Sequence, residues 1–151
     1  MTQHSSFLPI AALMFFAGIG IPVMATLNAG LGQQLGSPLA ATAVLSFIAM
    51  IVSAIAVLII GAPAASAFTF ERPQLYLGAL FFLFYAFSIT WAAPRIGIGN
   101  AVFFVLLGQL LAAAAIDHFG WMGAIKSELT GRRLGGLLVM AAGVYLARKQ
   151  A

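Results

Sequence analysis

The chain has 151 residues, 63% of them hydrophobic and 7% charged, and its mean hydropathy is +1.09. Soluble domains carry about 25% charged residues, so this composition excludes an ordinary soluble protein and is typical of an integral membrane protein. The net charge of +4 comes from seven Lys and Arg without a basic stripe, which excludes a nucleic-acid-binding surface, and the absence of cysteine excludes disulfides.

Five apolar stretches follow one another, each long enough, or nearly so, to cross about 30 Å of hydrocarbon as a helix. They lack the two-residue alternation of a barrel strand, so we expect an all-α integral membrane protein. It would form a single transmembrane domain over residues 1–151. The predicted helices cover residues 7–27, 38–60, 75–93, 99–116 and 132–148. The last is short, but basic residues on both sides of it can reach the lipid headgroups.

Polar side chains in these stretches are candidates for a substrate cavity, because an unsatisfied polar group in hydrocarbon costs several kcal/mol. Gln109, near the middle of the fourth helix, would contact substrate or line a pore, or else bond a neighbouring helix. The third helix offers aromatic and hydroxyl groups on one face, which would line a cavity or simply pack. The cavity candidates are Asn28, Ser46, Tyr85, Ser88, Trp91, Asn100 and Gln109.

Asn28 is predicted to lie just beyond the first helix, which Gly18, Gly20 and Pro22 weaken. Transporters place binding sites at broken helices because freed backbone groups can meet a ligand. A proline in a membrane helix is equally consistent with a simple kink. Both interpretations of Asn28 remain open from the sequence.

Asp117 is predicted to end the fourth helix, where a negative charge meets the unfavourable pole of the helix dipole. It therefore needs a cationic partner. His118 is adjacent, Arg133 lies on the same face, and Arg95 would reach it from an antiparallel second copy. We expect this set to be structural, closing a loop or bridging subunits, in preference to a proton relay.

The two histidines and three acids show no metal-ligand spacing, and no nucleophile and base are paired. We therefore expect no metal site, no cofactor, no catalytic residues and no enzyme activity.

Five crossings would place the two termini on opposite faces of the membrane. One face then carries four basic residues, Arg72, Lys126, Arg132 and Arg133, and the other carries three, Arg95, Arg148 and Lys149. Cytoplasmic loops normally hold an excess of Lys and Arg, and this near balance gives almost no bias. Either both orientations insert and pair antiparallel, or a weak bias still fixes one topology.

Several short segments follow one another along the whole chain: residues 22–32, Gly36-Ser37-Pro38 leading to Ser46-Phe47, Tyr85 nine residues before Pro94-Arg95-Ile96-Gly97, Gly108-Gln109-Leu110, Asp117-His118-Phe119-Gly120, and Arg133 with Gly136. In this order they resemble the short YdcZ-like family of the drug/metabolite transporter superfamily. The resemblance implies a five-helix, multi-pass protein of the bacterial inner membrane. It also implies a half-transporter that pairs as an antiparallel homodimer, as a heterodimer or as a fused chain.

The leading hypothesis is a small transporter, working as an antiparallel homodimer in the lipid bilayer, for a small amphipathic or weakly charged molecule. Two inverted copies supply the inverted-repeat symmetry that such transporters use. The first helix contains no acid, which disfavours cation–proton antiport through a carboxylate there. The alternatives are a dual-topology channel and an accessory or structural membrane subunit.

Overall fold

The computed structural model describes the backbone of residues 3–147 and the side chains of residues 7–147. The predicted end of the fifth helix at residue 148, with Arg148 and Lys149, lies outside the described residues. Over the described range the chain is helical and contains no strand. The helices are α1 (Gln3–Gln34), α2 (Pro38–Ile60), α3 (Gly78–Ile96), α4 (Ile98–Phe119) and α5 (Gly131–Ala147). Short 3-10 turns lie in the connections at Ala65–Ala67, Pro73–Leu77 and Trp121–Gly123.

The predicted all-α membrane class is confirmed, because four of the helices, α1 to α4, are long and apolar enough to cross a membrane. The fifth helix, α5, has 17 described residues, which span about 25 Å. The basic residues on both sides of α5 are predicted to extend this helix across the bilayer, and this stays a prediction.

The first helix was predicted to end at residue 27, and this is wrong: α1 continues to Gln34 and has 32 residues. At 1.5 Å per residue it is about 48 Å long, well above the thickness of the hydrocarbon core. The polar and glycine residues after Leu27 keep the helical backbone, and within this stretch Asn28 has a hydrogen-bond partner on α3. Asn28 therefore lies inside a helix and not beyond its end.

The second helix begins and ends at the residues predicted from the sequence. Ser37 caps it, with its Oγ accepting a hydrogen bond from the backbone N–H of Ala40 at 3.1 Å, and Pro38 takes the first helical position. Gly36 turns the chain with φ 63°, a conformation that glycine adopts without strain. This short turn makes α1 and α2 packed neighbours.

A turn was predicted at residues 94–98, but α3 runs through Pro94 to Ile96. Gly97 alone, with φ 83°, separates α3 from α4. The third helix is thus shifted from the predicted 75–93. The fourth extends beyond the predicted 99–116 and ends at Gly120, whose left-handed backbone caps it. Asp117 and His118 consequently occupy the last turn of α4.

The chain divides into two compact units, one up to Arg95 and one from Ile96 onward. In the first unit the buried side chains are mostly small, whereas large apolar side chains are exposed. The buried set is Ala25, Asn28, Ala29, Ala41, Thr42, Ala86, Ile89, Thr90 and Ala93. Lipid tails are as apolar as leucine, so membrane helices associate through close packing of small residues and not through hydrophobic burial. The first unit follows this rule.

Candidate functional site

An apolar groove lies between α1 and α2 in the first unit. Its volume is about 380 Å³. Its walls are Gly20, Val23, Met24, Leu27 and Leu31 from α1, and Val44, Leu45 and Ile48 from α2. Asn28 is the one lining residue with a polar side chain, and it is 5% exposed. The groove can therefore accept a hydrocarbon group next to a single buried amide.

Asn28 is held by α3. Its Nδ2 donates a hydrogen bond of 2.6 Å to Oγ1 of Thr90, and Thr90 in turn donates to the backbone carbonyl of Ala86 at 2.6 Å. Both polar side chains are buried, and their bond joins residues 62 positions apart in the sequence. Each of these two buried side chains thus has a partner, as a low-dielectric interior requires.

A polar pocket of about 370 Å³ lies near the turn between α1 and α2. It is lined by Ala29, Gly32, Gln33, Gly36, Pro38, Thr90, Pro94 and Arg95. Thr90 lines the polar pocket, whereas Asn28 lines the apolar groove. The bonded pair Asn28–Thr90 therefore contributes one residue to each of two cavities of different polarity.

Arg95, in the last turn of α3, supplies the charge of the polar pocket. Its guanidinium carbon lies 4.2 Å from the centre of the Trp91 ring, a cation–π contact, and its Nη1 donates to the backbone carbonyl of Trp91. A cation is also favoured at the carboxyl end of a helix. Trp91, predicted as a cavity residue, thus positions the charged residue of the pocket.

The other predicted cavity residues do not gather at these two cavities. Ser46 donates to the carbonyl of Thr42 in its own helix at 2.9 Å, and Ser88 is half-buried on α3. The hydroxyl of Tyr85 is buried and has no hydrogen-bond partner among the described residues. In the second unit, Asn100 donates to the carbonyl of Ile96 at 2.8 Å, and Gln109 is exposed on α4.

In the second unit, Asp117 forms an ion pair with Arg133 of the same chain, with Oδ2 and Nη2 2.5 Å apart. Arg133 also donates to the backbone and hydroxyl oxygens of Ser127 at 3.3 Å. His118 Nδ1 accepts a hydrogen bond from the backbone N–H of Leu129 at 3.1 Å. These contacts join the end of α4 to the start of α5 and hold the connection between them. A role of Arg95 in bridging to Asp117 of a second copy stays a prediction.

Breaking this ion pair is expected to loosen the α4–α5 connection. Asp117→Asn and Arg133→Gln should each lower the free energy of unfolding by about 1 kcal/mol, since the two side chains are 33% and 35% exposed and water screens them. In the double variant, the free energy of unfolding should fall by less than the sum of the losses in the two single variants. Unfolding by titration with dodecyl sulfate in mixed micelles measures this coupling.

The matched control is Arg132→Gln, which removes the neighbouring, exposed arginine. Arg132 makes no ion pair among the described residues. We expect a change below about 0.5 kcal/mol for this control. Additive losses in the double variant, or an equal loss in the control, would contradict the ion-pair role of Asp117.

An all-helical, multi-pass chain with an apolar groove and a charged pocket, each lined by one member of a buried polar pair, has the features of a small membrane transporter. The sequence model of the family described as "Putative inner membrane exporter, YdcZ" matches residues 9–146, and the chain belongs to this family. It is an inner-membrane protein of a transporter family, not of an enzyme family. No curated protein and no solved structure matches the chain.

Sequence reasoning missed Thr90, Gln33 and Gly32. A signal for Thr90 was present, because Ala86, Thr90 and Ala93 recur at helical spacing as small residues on one face of α3. Gln33 was assigned to a loop because the end of α1 was placed seven residues too early.

Proposed function

We propose that the chain is one half of an exporter for a small amphipathic molecule and that two antiparallel copies form the working unit. The apolar groove carries this proposal. It is large enough for a hydrocarbon group, and its one polar side chain, Asn28, is held in place by Thr90. Binding sites for such molecules are mostly apolar, with a few placed polar groups that fix orientation.

The groove lies along the part of α1 that is easiest to deform. Pro22 has no N–H, so the carbonyl of Gly18 lacks its helical partner. Gly20, which lines the groove, has no neighbouring atom within 4 Å of the position a Cβ would take. Thr26 Oγ1 donates to the carbonyl of Pro22 at 2.8 Å, a type of bond that often accompanies a bend in a helix. A bend at Pro22 would change the width of the groove with little loss of packing.

Two observations support a second copy. The basic residues are spread four against three between the two predicted membrane faces, so orientation is weakly specified. Gln109 exposes its amide near the middle of α4, where hydrocarbon offers no hydrogen bond. Contact with a second copy would remove this amide from hydrocarbon, and an antiparallel arrangement would add the inverted-repeat symmetry that many alternating-access transporters use.

Orientation mapping tests the dimer. The natural chain contains no cysteine, so His4→Cys and Gln150→Cys each introduce a single reactive thiol. Labelling from one side of the membrane with an impermeant maleimide should reach about half of each variant if both orientations insert. A site that labels fully from one side and not from the other would remove the antiparallel homodimer.

Transport into proteoliposomes tests the exporter. A fluorescent amphipathic probe should enter with saturable kinetics, and Asn28→Ala should reduce the rate while Ser53→Ala leaves it unchanged. Ser53 is a fair control because its hydroxyl bonds only carbonyls of its own helix, at Ala49 and Met50. Flux without saturation would indicate a channel, and absence of flux would indicate an accessory subunit.

A further inference from the structure

The polar pocket contains a positive charge that no acid of the described chain neutralises. The structure has an ion pair at Asp117 and Arg133, and no carboxylate among the described residues lies within ion-pair distance of Arg95. Glu71 is the only acid in the first 95 residues. It precedes the start of α3, whereas Arg95 lies at the other end of that helix, about 28 Å away along 19 residues.

The guanidinium of Arg95 has the donors to hold an anion. Of its five N–H donors, one is used by the carbonyl of Trp91. The guanidinium carbon lies 4.2 Å from the centre of the Trp91 ring. The planar edge of a guanidinium matches a carboxylate or phosphate with two parallel hydrogen bonds. Gln33 adds an amide to the same pocket.

The two cavities together match a molecule with a charged head and an apolar tail. Thr90 lines the polar pocket and Asn28, its hydrogen-bond partner, lines the apolar groove. The walls of the groove carry no charge. A ligand with a head at Arg95 would therefore have an uncharged groove on the same helix, α1, for its apolar tail.

We infer that the polar pocket binds the anionic head of an amphipath, a carboxylate or phosphate joined to a hydrocarbon chain, with Arg95 as the binding residue. Calling this molecule the substrate rests on the proposed function; the binding itself does not. The same chemistry occurs in a soluble amphipathic acid and in an anionic lipid, and the experiment below distinguishes these two sources.

Trp91 provides the measurement, because it touches Arg95. The chain has two tryptophans, and Trp121→Phe leaves Trp91 as the only one. This protein is placed in nanodiscs of phosphatidylcholine, and its fluorescence is titrated with decanoate, decanol and decyltrimethylammonium. We expect decanoate to give a saturable change with an affinity at least about tenfold higher than decanol, since hydrogen bonds to charged groups contribute that much.

Variants assign the binding to the pocket. Arg95→Gln should weaken decanoate binding about tenfold or more. Arg95→Lys should weaken it less, because the charge stays while the planar edge is lost. Arg72→Gln is the matched control, since Arg72 lies before α3, away from the pocket, and it should bind decanoate as the parent does. If Arg95→Gln does not fold, Gln33→Leu serves instead and should weaken binding severalfold.

Equal responses to decanoate and decanol, or undiminished binding by every pocket variant, would overturn the inference.

Nanodiscs with phosphatidylglycerol identify the source of the anion. A change in Trp91 fluorescence on adding this lipid alone, with weaker decanoate binding, supports the lipid headgroup; unchanged decanoate binding supports a soluble acid. Decanoate binding without transport leaves the inference intact and removes the exporter, whereas saturable transport together with undiminished decanoate binding by the Arg95 variants supports the exporter and removes the inference.

Discussion

Thr90→Val is expected to lower the free energy of unfolding by about 1–2 kcal/mol, measured by titration with dodecyl sulfate in mixed micelles. Valine has nearly the shape of threonine, so the packing of α3 is kept. The hydroxyl that accepts from Asn28 at 2.6 Å is lost, and the amide remains buried without a partner. The cost arises because neither lipid nor an apolar helix face can replace that acceptor.

A double-mutant cycle separates this bond from general packing. Replacing both partners, Asn28→Leu with Thr90→Val, should recover much of the loss, because no buried polar group is left unpaired. Thr26→Val is the control: its hydroxyl is exposed and bonds a carbonyl of its own helix, so a change below about 0.5 kcal/mol is expected. If the free energy of unfolding of the double variant falls by the full sum of the two single losses, the Asn28–Thr90 bond does not stabilise the helix contact.

Gly32→Leu is expected to disrupt the contact of α1 with its neighbours. A Cβ at this position would lie 3.2 Å from Cγ2 of Thr90 and 3.4 Å from Cα of Pro38. The proline contact is backbone, and Thr90 is β-branched and held by two hydrogen bonds, so neither neighbour yields easily. We expect a loss of about 1–3 kcal/mol from overpacking, and a reduced volume of the polar pocket that Gly32 lines.

Gly30→Leu is the matched substitution two residues earlier in α1. No atom lies within 4 Å of the position its Cβ would take. Leucine is the better helix former by up to about 1 kcal/mol, so Gly30→Leu should be neutral or stabilising in the same titration. Equal losses at Gly30 and Gly32 would show that the effect comes from the leucine itself and not from close packing.

The membrane class and the second helix could be predicted from the sequence because local signals determine both. Long apolar runs can cross a bilayer only as helices, and Ser37, Pro38 and Gly61 mark the ends of α2 by capping chemistry. The end of α1 could not be predicted in the same way. Residues after Leu27 look like a loop but stay helical, and the contact of Asn28 with Thr90 on a distant segment leaves no local signal in the sequence.

The candidate site was predictable only in part. Asn28 could be found because an amide is rare in such helices, and Trp91 because it is one of two tryptophans and lies on the aromatic face of the third helix. Thr90 belongs to a row of small residues on α3, but its bond to Asn28 could not be foreseen, because several Ser and Thr hydroxyls of this chain bond only the carbonyl four residues back, as Thr42 does. Thr90 makes this bond too, and only the fold adds its second contact.

The length of α1 links the polar pocket to the lipid environment. A helix of about 48 Å must tilt or protrude in a bilayer whose apolar core is about 30 Å thick. Gln33 and Gln34 form the end of this helix, so the depth of the pocket below the water surface varies with the angle of α1. Longer acyl chains in the host membrane would hold the helix upright and draw the pocket inward, whereas shorter chains would tip the helix and carry the pocket toward the headgroups.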